Sequence, residues 1–201
     1  QTNSLGRGGM SYQAIGAFDT ALWDMKAKRA GLPLAKLLGA HRDSLRIYNS
    51  EGQYLQASVA EIKSAADRSI GMGIGGIKMK VGQPDGQEDL KRIVMLRNHL
   101  PDEIPLMIDA NQQWDRSYAL QFGKVVDDLG LGFIEEPLDA LDYEGHRMLA
   151  DSLATPIATG EMLTSLAEAN QLVQAGGCDI SQVDALRIGG VTPFLKAMSM
   201  A

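Results

Sequence analysis

A strand-then-helix repeat of about 24 to 31 residues organises most of this chain. Six short β-type runs, LRIYNS, GIKMKVG, PLMIDAN, LGFIEEP, PIATGEM and ISQVDAL, are centred near residues 48, 79, 108, 134, 159 and 183. Between them lie stretches such as VAEIKSAADRSIGMG and QEDLKRIVMLRNHL, whose apolar residues recur at helical spacing. That period predicts an α/β fold with parallel strands and right-handed crossovers. Six units fit either an open doubly wound sheet or an incomplete (β/α) barrel of the TIM type. The first forty or so residues differ. Ile15, Phe18, Leu22 and Met25 fall three and four apart, which predicts a helix with one apolar face. Gly31 stops that helix, Pro33 opens a short second one through Leu38, and Gly39 ends it. The expected division is a helical part over residues 1–43 and a partial barrel over 44–201.

The strand ends decide between sheet and barrel. Lys80, Asp109, Glu135, Glu161 and Asp184 close successive strands at intervals of 29, 26, 26 and 23 residues. A barrel gathers such residues in an arc at its C-terminal mouth, whereas an open sheet spreads them along a line. Three neighbouring carboxylates, Asp109, Glu135 and Glu161, cannot share a water-poor mouth without a cation. An all-oxygen set of this kind suits a hard divalent ion, and Mg²⁺ is the expected one.

The KMK run adds two ammonium groups. Lys78 and Lys80 point to the same strand face, roughly 6.5–7 Å apart. They repel by about 2–3 kcal/mol at an effective dielectric near 20. That repulsion, with a metal across the mouth, predicts that Lys80 is partly neutral near pH 7 and serves as a general base. Lys78 is expected to stay charged and to hold a carboxylate oxygen of the substrate.

Composition narrows the partners. The formal net charge is −6, without a basic stripe to neutralise phosphates, so nucleic acid is not expected. No run approaches the roughly 18 apolar residues of a membrane span, and the polar N-terminal stretch does not read as a signal peptide. The single cysteine, Cys178, allows no intrachain disulfide and fits a reducing cytoplasm. Cys178 is expected to be buried and inert. Trp23 and Trp114 read as packing residues, and His41, His99 and His146 as surface or helix-end residues.

KMK, IDANQQW (Asp109, Asn111), FIEEPL (Glu135, Glu136), ATGEM (Glu161) and VDALRIGG (Asp184) together resemble the enolase superfamily, and within it the mandelate racemase subgroup. The N-terminal stretch from NSLGRGG through HRDS, with TPIATGEMLTS, is similar to acid-sugar dehydratases of the galactarate and L-talarate type. The resemblance implies that residues 1–43 are the C-terminal helices of a capping domain. It implies that Asp109, Glu135 and Glu161 ligate one Mg²⁺, which binds the carboxylate of an aldaric acid. An ene-diolate stabilised by such an ion, with a lysine or histidine base, is the general chemistry of that superfamily. Lys80 is then the base on one face. Asp184 orients a histidine on the other face, and that histidine is expected beyond Ala201, on a seventh strand. Asn111 is expected to contact substrate, and Glu136 to stand behind the ligands. Loss of the β-hydroxyl yields a keto-deoxy acid. Reprotonation instead would make a racemase or epimerase, and an inactive fragment of such an enzyme is the third alternative. A homo-oligomer is expected for the full-length form.

Overall fold

The computed structural model describes residues 8–200. The chain divides into two compact units. One comprises Arg46–Ala158 with Gly177–Ile180; the other comprises the described residues up to Leu45, Thr159–Gly176 and the chain from Ser181.

The Arg46–Ala158 unit repeats strand and helix. Its helices are α3 (Val59–Gly71), α4 (Gly86–His99), α5 (Arg116–Val126) and α6 (Tyr143–Ser152). Each begins at a residue whose side chain accepts a first-turn N–H. Ser58 and Glu61 form a reciprocal capping box on α3, and Asp85, Asp115 and Asp142 cap α4, α5 and α6. Each cap is worth about 1 kcal/mol and fixes where the chain turns from loop to helix.

Strands β1 (Ile77–Lys80), β2 (Leu106–Asp109), β3 (Ile134–Glu135) and β4 (Ile157–Thr159) pair in parallel. With β5 (Ile180–Ser181) they form a sheet in the order β1-β2-β3-β4-β5. A doubly wound sheet reverses its strand order at a switch point. This one does not, so its order is that of a run of (β/α)-barrel units.

Alternation along the strands separates two layers. Ile77 and Met79 of β1, with Leu106 and Ile108 of β2, pack into one fully buried cluster with Ile62, Ile93 and other helical residues. Fully burying each large side chain of that set is worth about 1.5–3 kcal/mol. Met107, Phe133 and Ala158 form a second, smaller cluster. Lys78 and Lys80 occupy the alternate positions of β1, which frees that face for polar chemistry.

The expected first strand, LRIYNS, survives only as a bridge from Asn49 to Ile77. Gly75 N donates to Ile47 O and Lys78 N to Asn49 O, but the turn through Gly52 (φ 89°) interrupts the ladder. Pairing resumes when Lys80 N donates to Gln53 O.

The other unit contains α1 (Met10–Ala30), α2 (Leu34–Leu37), α7 (Leu166–Ala175) and α8 (Val191–Met198). The Gly31 stop is as expected: Gly31 adopts the left-handed conformation and closes α1. The predicted apolar face is corrected. Ile15, Phe18, Leu22 and Met25 are exposed, and α1 packs instead through Gly16, Asp19 and Trp23. Asp19 accepts from Thr192 N (2.9 Å) and Thr192 Oγ1 (2.6 Å), so an α1 carboxylate caps α8. Trp23 Nε1 donates to the same hydroxyl at 2.9 Å. Gly16 lets the turn before α8 come close, because a Cβ there would lie 2.8 Å from Leu186 O. Among the described residues no helix is long and apolar enough to cross a membrane.

Candidate active site

Register builds the site. Lys80 pairs with Asp109 across β1 and β2, and Asp109 with Glu135 across β2 and β3. Register partners in a parallel ladder share a face, so one row of the sheet carries a cation and two anions. Lys78 completes the group from two positions earlier on β1. Its Nζ lies 2.6 Å from Glu135 Oε2 and 3.2 Å from Asp109 Oδ2. Lys80 Nζ donates to the same Asp109 oxygen.

Asp109 and Glu135 are 0% and 1% exposed. Two carboxylates so far from water need matched positive charge, and Lys78, within reach of both, supplies it. Burial alone pulls the Lys78 pKa down. The Glu135 hydrogen bond and the charges of Asp109, Glu135 and Tyr48 outweigh it and hold the group above the ordinary lysine value. These contacts favour the charged form of Lys78. Asp109 Oδ2 is shared by both lysine side chains of the KMK run. Tyr48 adds a wall that the sequence reading missed. Lys78 Nζ lies 5.6 Å from its ring centroid, and its edge meets Phe133 at 5.9 Å.

The loops after β2 and β3 are held in unusual backbone. Asn111, Gln112 and Glu136 have φ of 44°, 65° and 39°. Non-glycine residues in that region cost about 1–3 kcal/mol each and persist where surrounding contacts hold them. The contacts are present. Asn111 N donates to Asp109 Oδ1 at 2.9 Å. Gln112 N donates to Glu136 O at 2.7 Å, and its side-chain amide donates to Glu136 Oε2 at 3.0 Å. Gln112 Oε1 accepts from Ala140 N, so one side chain stitches the two loops together. Gln112 was not singled out in the sequence, where the only signal is its place beside Asn111 in IDANQQW.

Asn111 is exposed and Glu136 is buried. Glu161 and Asp184 belong to the other unit. Glu161 is half-buried in the turn after β4. Asp184 Oδ1 accepts from Leu186 N (2.7 Å) and Arg187 N (2.8 Å), shaping the turn into RIGG.

The histidine expectations are corrected for one residue. His146 is fully buried on α6, with Nδ1 2.9 Å from Asp142 O, and burial lowers its pKa. His99 pairs with Asp67 at 2.7 Å, and His41 is exposed. Trp114 packs in the main cluster as expected. Burial, with the neighbouring Asp179 charge, pushes the Cys178 thiol up to about 11.

Among the described residues no group of three or more His, Cys, Asp or Glu is gathered as a ready metal cage. The pair that does stand together, Asp109 and Glu135, offers hard anionic oxygens from adjacent strands. That donor chemistry fits a cation of the Mg²⁺ class.

Comparison with known proteins gives the family. Residues 61–201 match the family described as enolase C-terminal domain-like. Residues 4–39 match the mandelate racemase / muconate lactonizing enzyme N-terminal domain. The chain belongs to the enolase superfamily. Within that superfamily it is 56% identical, over 198 residues, to the L-talarate/galactarate dehydratase of Salmonella typhimurium, covering 98% of this chain and 50% of that protein. It is 40% identical to a 3,6-anhydro-alpha-L-galactonate cycloisomerase of Streptomyces coelicolor, covering 98% of this chain and 54% of that one. The crystal structure of an L-talarate dehydratase from a Polaromonas species, complexed with Mg and L-glucarate, superposes with a TM-score of 0.97 at 56% identity. That match covers 99% of this chain and 56% of the other. The chain thus spans about half the length of the curated relatives it matches. These relatives make it a partial (β/α) barrel of the enolase superfamily.

Proposed function

We propose that this chain carries the base-bearing half of a Mg²⁺-dependent acid-sugar dehydratase acting on galactarate or L-talarate. The observation that carries the reading is the Lys80–Asp109–Glu135 row, with Lys78 bridging its two carboxylates. Asp109, Glu135 and Glu161 are the residues to hold the ion. When bound, it supplies the positive charge that makes the α-hydrogen of the acid removable. Lys80, at the open end of β1, takes the α-proton. Lys78, charged and anchored, holds an oxygen of the substrate carboxylate. Asn111 faces the substrate from the strained loop, and Glu136 keeps that loop in place through Gln112. Asp184 positions a partner group from its own turn. The carbon skeleton loses the α-hydrogen and the β-hydroxyl as water, and the resulting enol becomes the keto-deoxy acid. A reducing cytoplasmic setting suits the lone, unreactive Cys178, and a homo-oligomer suits the complete enzyme.

The test is proton NMR in D₂O with galactarate and Mg²⁺. It uses this chain, and the chain extended with the remaining segment of the Salmonella relative. Formation of a keto-deoxy acid supports the dehydratase. Deuterium entering the α-carbon without dehydration turns the reading toward a racemase or epimerase. No reaction in either sample refutes the substrate class. Glu135→Gln tests the ion separately: the thermal stabilisation that Mg²⁺ gives the parent is expected to vanish.

A further inference from the structure

β1 ends at Lys80, and the chain must leave the sheet there without loosening that residue. Val81 N still bonds to Asp109 O at 2.9 Å. The next two amides, of Gly82 and Gln83, both donate to Asp89 Oδ2, at 2.7 and 2.8 Å. Asp89 lies in the first turn of α4 and is fully buried. Its charge is met by Arg92, one turn on and 5% exposed, at 3.2 Å. Arg92 does more than neutralise. Its Nη1 donates to the carbonyl of Lys80 (3.2 Å) and its Nη2 to the carbonyl of Tyr54 (2.7 Å). Gln83 Nε2 reaches across to Leu55 O at 3.1 Å. The backbone of Lys80 is thereby held on both sides, its N–H by Gln53 O and its C=O by Arg92.

We propose that Asp89 and Arg92 are positioning residues for Lys80. They form a buried clamp that aims the end of β1 by binding the carbonyl of the base and the amides of residues 82 and 83 just after it. Two features separate this from ordinary helix anchoring. A buried ion pair adds little net stability compared with apolar residues of similar volume. Moreover, its contacts go to the backbone of Lys80 itself, of residues 82–83 just beyond it, and of the 54–55 loop beside it. The clamp touches no carboxylate of the proposed metal set. It therefore acts on the geometry of proton removal and leaves ion and substrate binding alone. The inference rests on the reading of Lys80 as the base.

The decisive variant is the double substitution Asp89→Asn with Arg92→Met. Removing both charges together leaves neither stranded, so the fold survives, whereas each single variant strands one charge. Lys91→Ala, which loses only an exposed pair with Glu88, is the control. If the clamp were merely structural, the double variant would recover turnover along with its melting temperature. The positioning role predicts that kcat for α-hydrogen exchange of galactarate stays down by about 10- to 100-fold, with KM and the Mg²⁺-induced thermal shift little changed. Recovery of kcat to the control level overturns the proposal. If neither the parent chain nor its extended form exchanges the α-hydrogen, the functional reading has failed. The clamp is then judged by amide hydrogen exchange at Lys80, Gly82 and Gln83, compared at equal distance below each protein's melting temperature. Exchange at those three amides about tenfold or more faster than in the control is expected, and unchanged protection overturns it.

Discussion

Replacing Lys78 by methionine removes the cation that both buried carboxylates share while keeping most of its volume. The oxygens of Asp109 and Glu135 that touch Lys78 Nζ, at 3.2 and 2.6 Å, are no more than about 6 Å apart. At an effective dielectric near 20 their mutual repulsion is about 3 kcal/mol once the ammonium is gone. Lys80 still touches Asp109 and offsets part of this, but Glu135 loses its 2.6 Å ammonium partner. Truncating one partner of a buried pair typically costs about 3–5 kcal/mol, and that is the expected loss at pH 7. Urea unfolding with EDTA present measures it directly. The pH dependence has the same sign in the two proteins but falls in different windows. In the parent, Lys78 has a folded pKa above its unfolded value. Its contribution is full below the unfolded lysine pKa and disappears as pH rises through the folded one. In Lys78→Met, Glu135 has lost its ammonium contact, so protonation relieves the excess negative charge and the gap between the two proteins narrows as pH falls toward the carboxylate range. A cost below about 1 kcal/mol at pH 7, flat from pH 5 to 8, would show that Lys78 does not carry the charge balance of the site.

Four further outcomes are expected. Gly16→Ala should destabilise by about 1–2 kcal/mol despite alanine's better helix propensity, because the new Cβ would press on Leu186 O at 2.8 Å and Gly190 N at 3.0 Å. Gly71→Ala, with nothing within 4 Å of its added Cβ, should stabilise by up to about 1 kcal/mol; equal effects in thermal melts would contradict the packing of α1. His146 is buried with a lowered pKa, so the unfolded chain binds its proton more readily. Its contribution is present above the unfolded histidine pKa and is lost as pH falls through the folded one. His146→Gln should flatten that part of the stability profile, and an unaltered slope would exclude the assignment. Cys178, with its thiol pushed up to about 11, should react slowly with a disulfide reagent at pH 8 and quickly in urea.

Several features were legible in the chain itself because they are local. The strand-then-helix period, the glycine stop after α1 and the alternation that sets Lys78 and Lys80 opposite Ile77 and Met79 all depend on neighbours a few residues away. The ionisable residue at each strand end was visible for the same reason, since the period places it. What those residues touch was not visible. Lys78 meets Glu135 across 57 residues of sequence, and only the parallel register of β1, β2 and β3 brings the pair together. Asp89 was not singled out in the sequence, and only the fold brings the end of β1 against it. The apolar face expected on α1 and the surface place expected for His146 failed on the same ground. Periodicity says which residues share a side, but a partner must arrive before that side is buried. For α1 the contact came through Gly16, where a missing side chain allows the closest approach. The sequence by itself determined the order of elements and which chemistry sits at their ends. The tertiary structure decided the charge balance, because Coulomb energies and desolvation depend on distances that no local rule contains.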